Sequence, residues 1–211
     1  MVMKNVSIPS DVAFTNSVKA IQTGKGSRRA YASMENGAGW ATLITADLAA
    51  FISEQSSVFL ATANLIGQPY IQHRGGPPGF LRVLDEKTIA FADFRGNRQY
   101  ISTGNLSENP RAHLFMIDYR TRQRVKFWGR ACVIDDDPGL LAQLMPQGYK
   151  AQGEQVISFH VETWDANCPQ HIPQRFEASD LHAALKERDQ RIVDLEAEIA
   201  QLKIRAQASS L

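Results

Sequence analysis

The sequence is short of cysteine, of long apolar runs and of charge imbalance, and each shortage excludes a class of protein. Two cysteines, Cys132 and Cys168, cannot make the disulfide framework of a small secreted domain. One bridge between them is conceivable, and nothing in the sequence requires it. No apolar run approaches the roughly 20 residues that a membrane-spanning helix needs. The opening MVMKNVSIPSDVAF lacks the apolar stretch of a secretory signal. Lys and Arg number 23 against 22 Asp and Glu, a net charge of +1, so there is no electrostatic footprint for nucleic acid or an anionic membrane. The expectation is a cytoplasmic protein with reduced thiols. Its 211 residues suffice for one domain of comfortable size, or one domain with an appendage.

What is present changes texture along the chain. The first 45 residues read as helices joined by loops, expected to pack on the barrel predicted after them. One helix follows Pro9-Ser10-Asp11, another covers Ser27 to Met34, and Glu35-Asn36-Gly37-Ala38-Gly39 breaks the pattern. Thr45 is a natural N-cap for a helix through Phe51 and Ile52, with Asp47 near its positive end. From Ser57 onward, short β-rich runs alternate with turns: SVFLATAN with PYIQHR, FLRVLD with TIAFADF, and RAHLFMID with QRVKFWGRACVID. A short helix opened by Pro138-Gly139 precedes a last long strand, EQVISFHVETW. Six or seven strands joined mostly by hairpins predict an antiparallel β-barrel over residues 46–176 with peripheral helices, since a parallel sheet would need a helix after nearly every strand.

The tail, residues 177–211, is different again. Leu181, Leu185, Ile192, Leu195, Ile199 and Leu202 recur in alternating four- and three-residue steps, with Arg188 interrupting the d positions. Leu185, Ile192 and Ile199 at a, with Leu181, Leu195 and Leu202 at d, form a heptad seam that suits a parallel two-stranded coiled coil. An amphipathic helix packed on its own barrel fits the same pattern, and both readings stay open.

The chemistry concentrates between Tyr70 and Leu106. Strand alternation puts Tyr70, Gln72 and Arg74 on one face, with Ile71 and His73 on the other. A strand ending Gln-His-Arg is polar where burial should be greatest. The run TIAFADF leads directly into Arg95-Gly96-Asn97-Arg98, with a helical pattern beginning at Gln99. A turn bearing Asn and Arg ahead of a helix is a natural anion site. Taken alone, a strand-end Arg is more often a solvated charge, and physical reading stops at a barrel with an anion-friendly turn.

The motifs GQPYIQHRGG, FADFRGNRQY and NLSENPRAHLFMIDY, in that order, resemble the flavin-binding core of the pyridoxamine 5′-phosphate oxidase-like family, the FMN-binding split barrels. That resemblance spans about residues 46–176 and implies a split barrel, a homodimer, and FMN at the subunit interface. It puts Gln72, His73 and Arg74 on the strand lining the flavin, and Ala92 and Asp93 beside the ring and ribityl chain. Asn97 and Arg98 match the pair that holds the phosphate. Gln99 stands where the oxidase has Lys, removing one phosphate charge that Arg74 could supply. Arg124 and Lys126 correspond to the strand that reaches the flavin from the partner subunit; an exposed face of a basic strand fits them equally. Trp164, in VETW, matches a residue that covers the flavin. Gln170 stands where the oxidase has a substrate-binding Arg, which argues against pyridoxamine phosphate as substrate.

His171 is then the catalytic candidate, available for proton exchange with a substrate, although a structural role in a loop fits it as well. The pair Cys168–His171 is at most half a zinc site, with no second pair at suitable spacing, so no metal is expected. His113 and His160 lie inside strand patterns and read as packed residues. The functional expectation is an FMN-dependent oxidoreductase for an unidentified small organic substrate. A non-catalytic flavin-binding sensory module, and a haem-binding split barrel using His73 or His171, are the alternatives.

Overall fold

A computed structural model describes residues 8–167 and 169–208, so Cys168, and with it the Cys168–His171 pair, lies outside the described residues. After a 3-10 turn at Pro9–Val12 come α1 (Asn16–Gly24), α2 (Arg28–Asn36) and α3 (Ala46–Glu54). The strands are β1 (Ser57–Ala63), β2 (Pro69–Gly75), β3 (Arg82–Asp85), β4 (Thr88–Phe94), β5 (Arg111–Asp118), β6 (Gln123–Ile134) and β7 (Gly153–Asn167). Helices α4 (Ile101–Glu108) and α5 (Pro138–Leu144) interrupt them, and α6 (Ala178–Ala208) comes last. Among the described residues, no helix is long and apolar enough to cross a membrane.

All strand pairings are antiparallel, in one seven-stranded sheet of order β2-β1-β5-β6-β7-β4-β3. The three expected hairpins are all present. The fold is mainly β with peripheral helices, a split-barrel sheet whose backbone ladder does not close between β2 and β3. Burial follows the pleat: in β1, Val58, Leu60 and Thr62 face inward while Ser57, Phe59 and Ala61 stay half-exposed.

Strand β4 breaks that alternation, with Ile89 to Asp93 buried without interruption. It lies between two cores. Ile89 and Phe91 join the main cluster with Leu60, Leu114, Phe127 and Phe159, while Ala90 and Ala92 meet Leu144 of α5 and Val156 on the opposite face. Small residues on the α5 side admit the helix, and large ones fill the barrel. Asp93 shares the face of Ile89 and Phe91, so a carboxylate ends a core-facing row.

The N-terminal segment is bound to the strands by polar contacts. Ile44 N donates to Glu86 O (2.7 Å), and Thr163 Oγ1 (2.9 Å) and Trp164 N (3.0 Å) both donate to Ala41 O. Helix α3 starts as expected, with Thr45 Oγ1 accepting from Leu48 N (3.2 Å) and Leu48 and Ile52 buried. Helix α2 extends to Asn36, beyond the expected break at Glu35, because Glu35 is a structural acid. Its carboxylate pairs with Arg28, lies 3.8 Å from Lys19, accepts from Ser10 Oγ (3.3 Å) and is 3% exposed. The Arg28 hydrogen bond holds its carboxyl below the ordinary value, against the opposing effect of burial.

The described residues through Asp118 form one compact unit with Gln123–Gln170, and the turn Tyr119–Arg122 forms a second with the residues from His171 onward. In the second unit, Gln174 Nε2 donates to Arg120 O (2.9 Å), and the Arg175 guanidinium lies 4.7 Å from the Tyr119 ring centre.

Strands β6 and β7 shift register between Trp128 and Gly129. A Cβ at Gly129 would lie 2.0 Å from His160 O, so this irregularity requires glycine. Gly129→Ala is expected to cost roughly 2–4 kcal/mol, read as a lower urea midpoint at unchanged m-value; an unchanged midpoint contradicts the packing described. Glu35→Gln is expected to destabilise by roughly 1–3 kcal/mol at neutral pH. Because the folded carboxyl is held low, the stability it contributes is present above its ordinary value of 4.5 and is lost as pH falls through the folded value. Urea titrations of both proteins from pH 7 downward should therefore converge in acid.

Candidate functional site

Three segments converge on one cleft: the end of β2, the end of β4 with the turn after it, and the start of β7. In β2, Tyr70, Gln72 and Arg74 are half-buried while Ile71 and His73 are exposed. The loop after β2 is tied to α3, as Gly79 N donates to Ser53 O (2.7 Å) and Gly76 N to Ser56 O (3.0 Å). Arg74 is thereby aimed at β4, where its Nε lies 2.8 Å from Asp93 Oδ1 and its Nη2 lies 3.4 Å from Oδ2. Strands β2 and β4 are not neighbours in the sheet, so this ion pair spans its open side.

Asp93 also accepts from Gln155 Nε2 (2.9 Å), and Gln155 donates to Thr103 Oγ1 on α4 (3.0 Å). Ser102 Oγ donates to Gln72 Oε1 (3.1 Å), and Asn105 Nδ2 to Thr62 Oγ1 (3.0 Å). Helix α4 is thus fixed to β1, β2 and β7 by side-chain hydrogen bonds, which explains buried Ser102 and Asn105 in a short helix. Burial raises the Asp93 carboxyl above its ordinary value, more than the Arg74 guanidinium and the Gln155 hydrogen bond lower it. Among the described residues, Arg74 Nε is buried without an aligned hydrogen-bond acceptor despite its proximity to Asp93.

The turn between β4 and α4 holds two non-glycine residues in the left-handed region, Arg98 (φ 59°) and Tyr100 (φ 54°). They delay the helix, expected from Gln99, to Ile101. Asn97 Oδ1 accepts from Gln99 N (3.3 Å), closing a local turn. Arg98 Nε donates to Tyr100 Oη (2.8 Å) and lies 3.4 Å from Glu154 Oε1, to which Tyr100 Oη donates (2.6 Å). The cleft enclosed by these groups has a volume of about 260 Å³ and is lined by Gln72, Arg74, Asp93, Asn97, Arg98, Gln99, Tyr100, Thr103 and Glu154, with Phe94 and Gly96. Two guanidinium groups, side-chain amides and hydroxyls are a donor set suited to a phosphate-bearing ligand.

Six residues singled out from the sequence therefore meet here: Gln72, Arg74, Asp93, Asn97, Arg98 and Gln99. The others lie elsewhere. The Ala92 side chain is in the second core cluster. His73, on the other face of β2, makes an edge contact with Phe59 at 5.5 Å between ring centres. Trp164 is partly buried against the main core and donates from Nε1 to Leu43 O (2.9 Å), outside the cleft lining. Gln170 and His171 are exposed and fall in different units, His171 with φ 65°.

Arg124 and Lys126 lie on β6. Lys126 Nζ is 3.5 Å from Asp165 Oδ2 and 5.5 Å from the Trp128 ring centre, in a second, aromatic cleft with Phe14, Tyr31 and Trp40. Arg124 Nε is buried without a hydrogen-bond partner among the described residues. His113 packs edge-on to Trp128 (4.8 Å), and burial, then Lys126, lowers it to about 4, so it is neutral at physiological pH. Sequence reasoning missed Tyr100, Thr103, Gln155 and Glu154. Only Gln155 carried a legible signal, a polar residue on the same strand face as Ile157 and Phe159.

A family model described as pyridoxamine 5′-phosphate oxidase matches residues 44–168. No curated protein matches the sequence significantly. Among solved structures, HupZ of Group A Streptococcus is 21% identical with a TM-score of 0.48, covering 63% of this chain and 99% of its own. An FMN-binding protein from Syntrophomonas wolfei subsp. wolfei is 9% identical with a TM-score of 0.44, covering 69% and 97%. HutZ, the heme storage protein of Vibrio cholerae, is 16% identical with a TM-score of 0.40, covering 59% and 93%.

The geometry predicts an asymmetric response at the ion pair. Arg74→Ala leaves a buried carboxylate unpaired and is expected to cost roughly 3–5 kcal/mol. Combining it with Asp93→Asn removes that orphaned charge and should recover a substantial part of the loss. A double-mutant cycle by urea unfolding measures the coupling, and strictly additive losses would show the two groups to be independent.

Proposed function

The chain belongs to the pyridoxamine 5′-phosphate oxidase family, and we propose that it is an FMN-binding flavoprotein, an oxidoreductase for a small organic substrate other than pyridoxamine phosphate. The observation that carries this reading is the cleft at the Asn97–Arg98 turn, with Arg74 and Arg98 on its walls. Arg98 and Asn97 would hold the phosphate, with the Arg74 guanidinium as a further cation, and Gln72 would meet the ribityl hydroxyls. FMN, when bound, supplies the electron-transfer chemistry, and the chain's task is to bind it, orient it and exclude water.

The cleft's volume of about 260 Å³ is below the roughly 300–1,000 Å³ of cavities that enclose a drug-sized ligand. It suits the phosphate end, and the ring would need cover from another surface. A homodimer supplies one, with Arg124 and Lys126 as the contribution of the second copy. His171 is the candidate for proton exchange with the substrate. The absence of a lysine at Gln99 and of an arginine at Gln170 supports a substrate other than pyridoxamine phosphate.

Purified protein is expected to carry or take up FMN, read by its visible absorption and by quenching of flavin fluorescence on titration. Arg98→Ala removes charge-assisted hydrogen bonds of roughly 1.5–3 kcal/mol, so affinity should fall by about 10- to 150-fold. Protein that neither carries nor binds FMN refutes the cofactor assignment, and a Soret band on reconstitution would point to haem. Bleaching of bound FMN by NADH or NADPH under anaerobic conditions tests the oxidoreductase reading. Failure of both nicotinamides and of a broad panel of reductants would leave a flavin-binding module.

A further inference from the structure

Helix α6 runs unbroken for 31 residues, about 46 Å. Its apolar seam is open: Leu181, Leu185, Ile192, Leu195, Ile199 and Leu202 are each 39–55% exposed. A helix with a continuous exposed apolar stripe gains most of its stability from burying that stripe against a partner. The seam's geometry and the charges beside it identify the partner. We infer that α6 pairs with α6 of a second copy of this chain as a parallel, in-register, two-stranded coiled coil.

The charges select this arrangement. With Ile192 and Ile199 at a, the g positions include Arg191 and Glu198, and the e positions include Asp189, Glu196 and Lys203. In a parallel in-register pair, each g residue faces the e residue five positions on in the other helix. Arg191 then meets Glu196 of the partner subunit, and Glu198 meets Lys203 of the partner subunit. Symmetry doubles each contact, giving attraction at every charged g–e pair. The antiparallel arrangement that overlaps the full helix instead sets e against e and g against g: Arg191 still meets Glu198 of the partner subunit, but Asp189 meets Glu196 of the partner subunit, acid against acid, so attraction is offset by repulsion where the parallel pair has attraction alone.

Arg188 and the charges flanking the seam together fix the register. Arg188 is the polar d residue within the seam, and a d side chain in a parallel coil packs beside the e residue of the other helix. In register, each Arg188 lies beside Asp189 of the partner subunit. A slip by one heptad moves one of the two Arg188 side chains from that carboxylate to His182 of the partner subunit, and sets Arg191 against Lys203 of the partner subunit and Glu198 against Glu196 of the partner subunit, like charge against like. Ile at two a positions with Leu at d favours two strands over three or four.

Disulfide trapping in the full-length chain tests this inference, with Cys132→Ser and Cys168→Ser as background. Ile199→Cys puts the thiols of the two copies face to face at an a layer and is expected to form an interchain disulfide on mild oxidation. Gln190→Cys, on the outer face, is the control and should not. Equal trapping at the two positions, or none at Ile199→Cys, overturns the inference, with far-UV circular dichroism confirming that both variants keep their helix. Charge reversal supplies the orientation readout. Arg191→Glu should slow trapping at Ile199→Cys by about five- to twenty-fold, and adding Glu196→Arg should restore it. No rescue would exclude the parallel register, and neither readout depends on bound flavin.

Discussion

The ion pair between Arg74 and Asp93 joins parts of the sheet that no backbone ladder connects. The strand order leaves β2 and β3 as free edges, yet a guanidinium on β2 reaches a carboxylate on β4 at 2.8 Å. Closure of this side is therefore a matter of side chains. Burial works against the arrangement by raising the Asp93 carboxyl, and the pair persists because Gln155 adds a hydrogen bond at 2.9 Å and Arg74 is held from behind by the loop tied to α3. Such a pair adds little net stability relative to apolar residues of the same size, but removing one half is costly. What it supplies is position. Arg74 on the cleft wall and the first turn of α4 are both referenced to Asp93, directly or through Gln155.

The same charges set the terms for any anionic ligand. Arg74 is engaged by Asp93, and Arg98 lies 3.4 Å from Glu154 while donating to Tyr100. The cleft thus holds two cations and two carboxylates, and is close to neutral before anything binds. A phosphate must compete with Glu154 for Arg98, or with Asp93 for the Arg74 guanidinium. Arg98 is the easier of the two to recruit, because its side chain is 51% exposed and its present partnership is correspondingly weak. Recruiting Arg74 away from Asp93 would strand a buried charge. The exposed cation is expected to carry affinity and the buried one geometry.

Much of this was legible in the sequence, for identifiable reasons. Alternation fixes the faces of β1 and β2 because one side is buried and the other is not, and the hairpin turns set the pairing. The polar triplet Gln72-His73-Arg74 at the end of an otherwise strand-like run marked the cleft, as did Asn97-Arg98 after β4. What local pattern could not give was the backbone of that turn. Left-handed Arg98 and Tyr100 carry no sequence signal, since glycine is the usual marker of positive φ, and the helix start was therefore expected two residues early. Glu154 and Thr103 escaped for a different reason. They reach the cleft through long-range contacts, 54 residues from Tyr100 in one case and 52 from Gln155 in the other. Glu35 read as a helix breaker because its neighbours are Asn and Gly, whereas its buried pairing with Arg28 outweighs their propensity.

If the cleft takes one end of the cofactor as proposed, association becomes part of function. Where a second copy completes the cofactor site, the fraction of complete sites depends on how well two barrels pair at cellular concentrations. A coiled coil changes that dependence. Once the α6 helices have paired, barrel pairing becomes intramolecular, with an effective concentration set by the connecting segment. Even a modest barrel interface would then be populated, and the barrel surface need not be strongly apolar. Under the proposed pairing, the chain can keep charged and polar groups around its cleft while its heptad-spaced apolar surface lies in one helix.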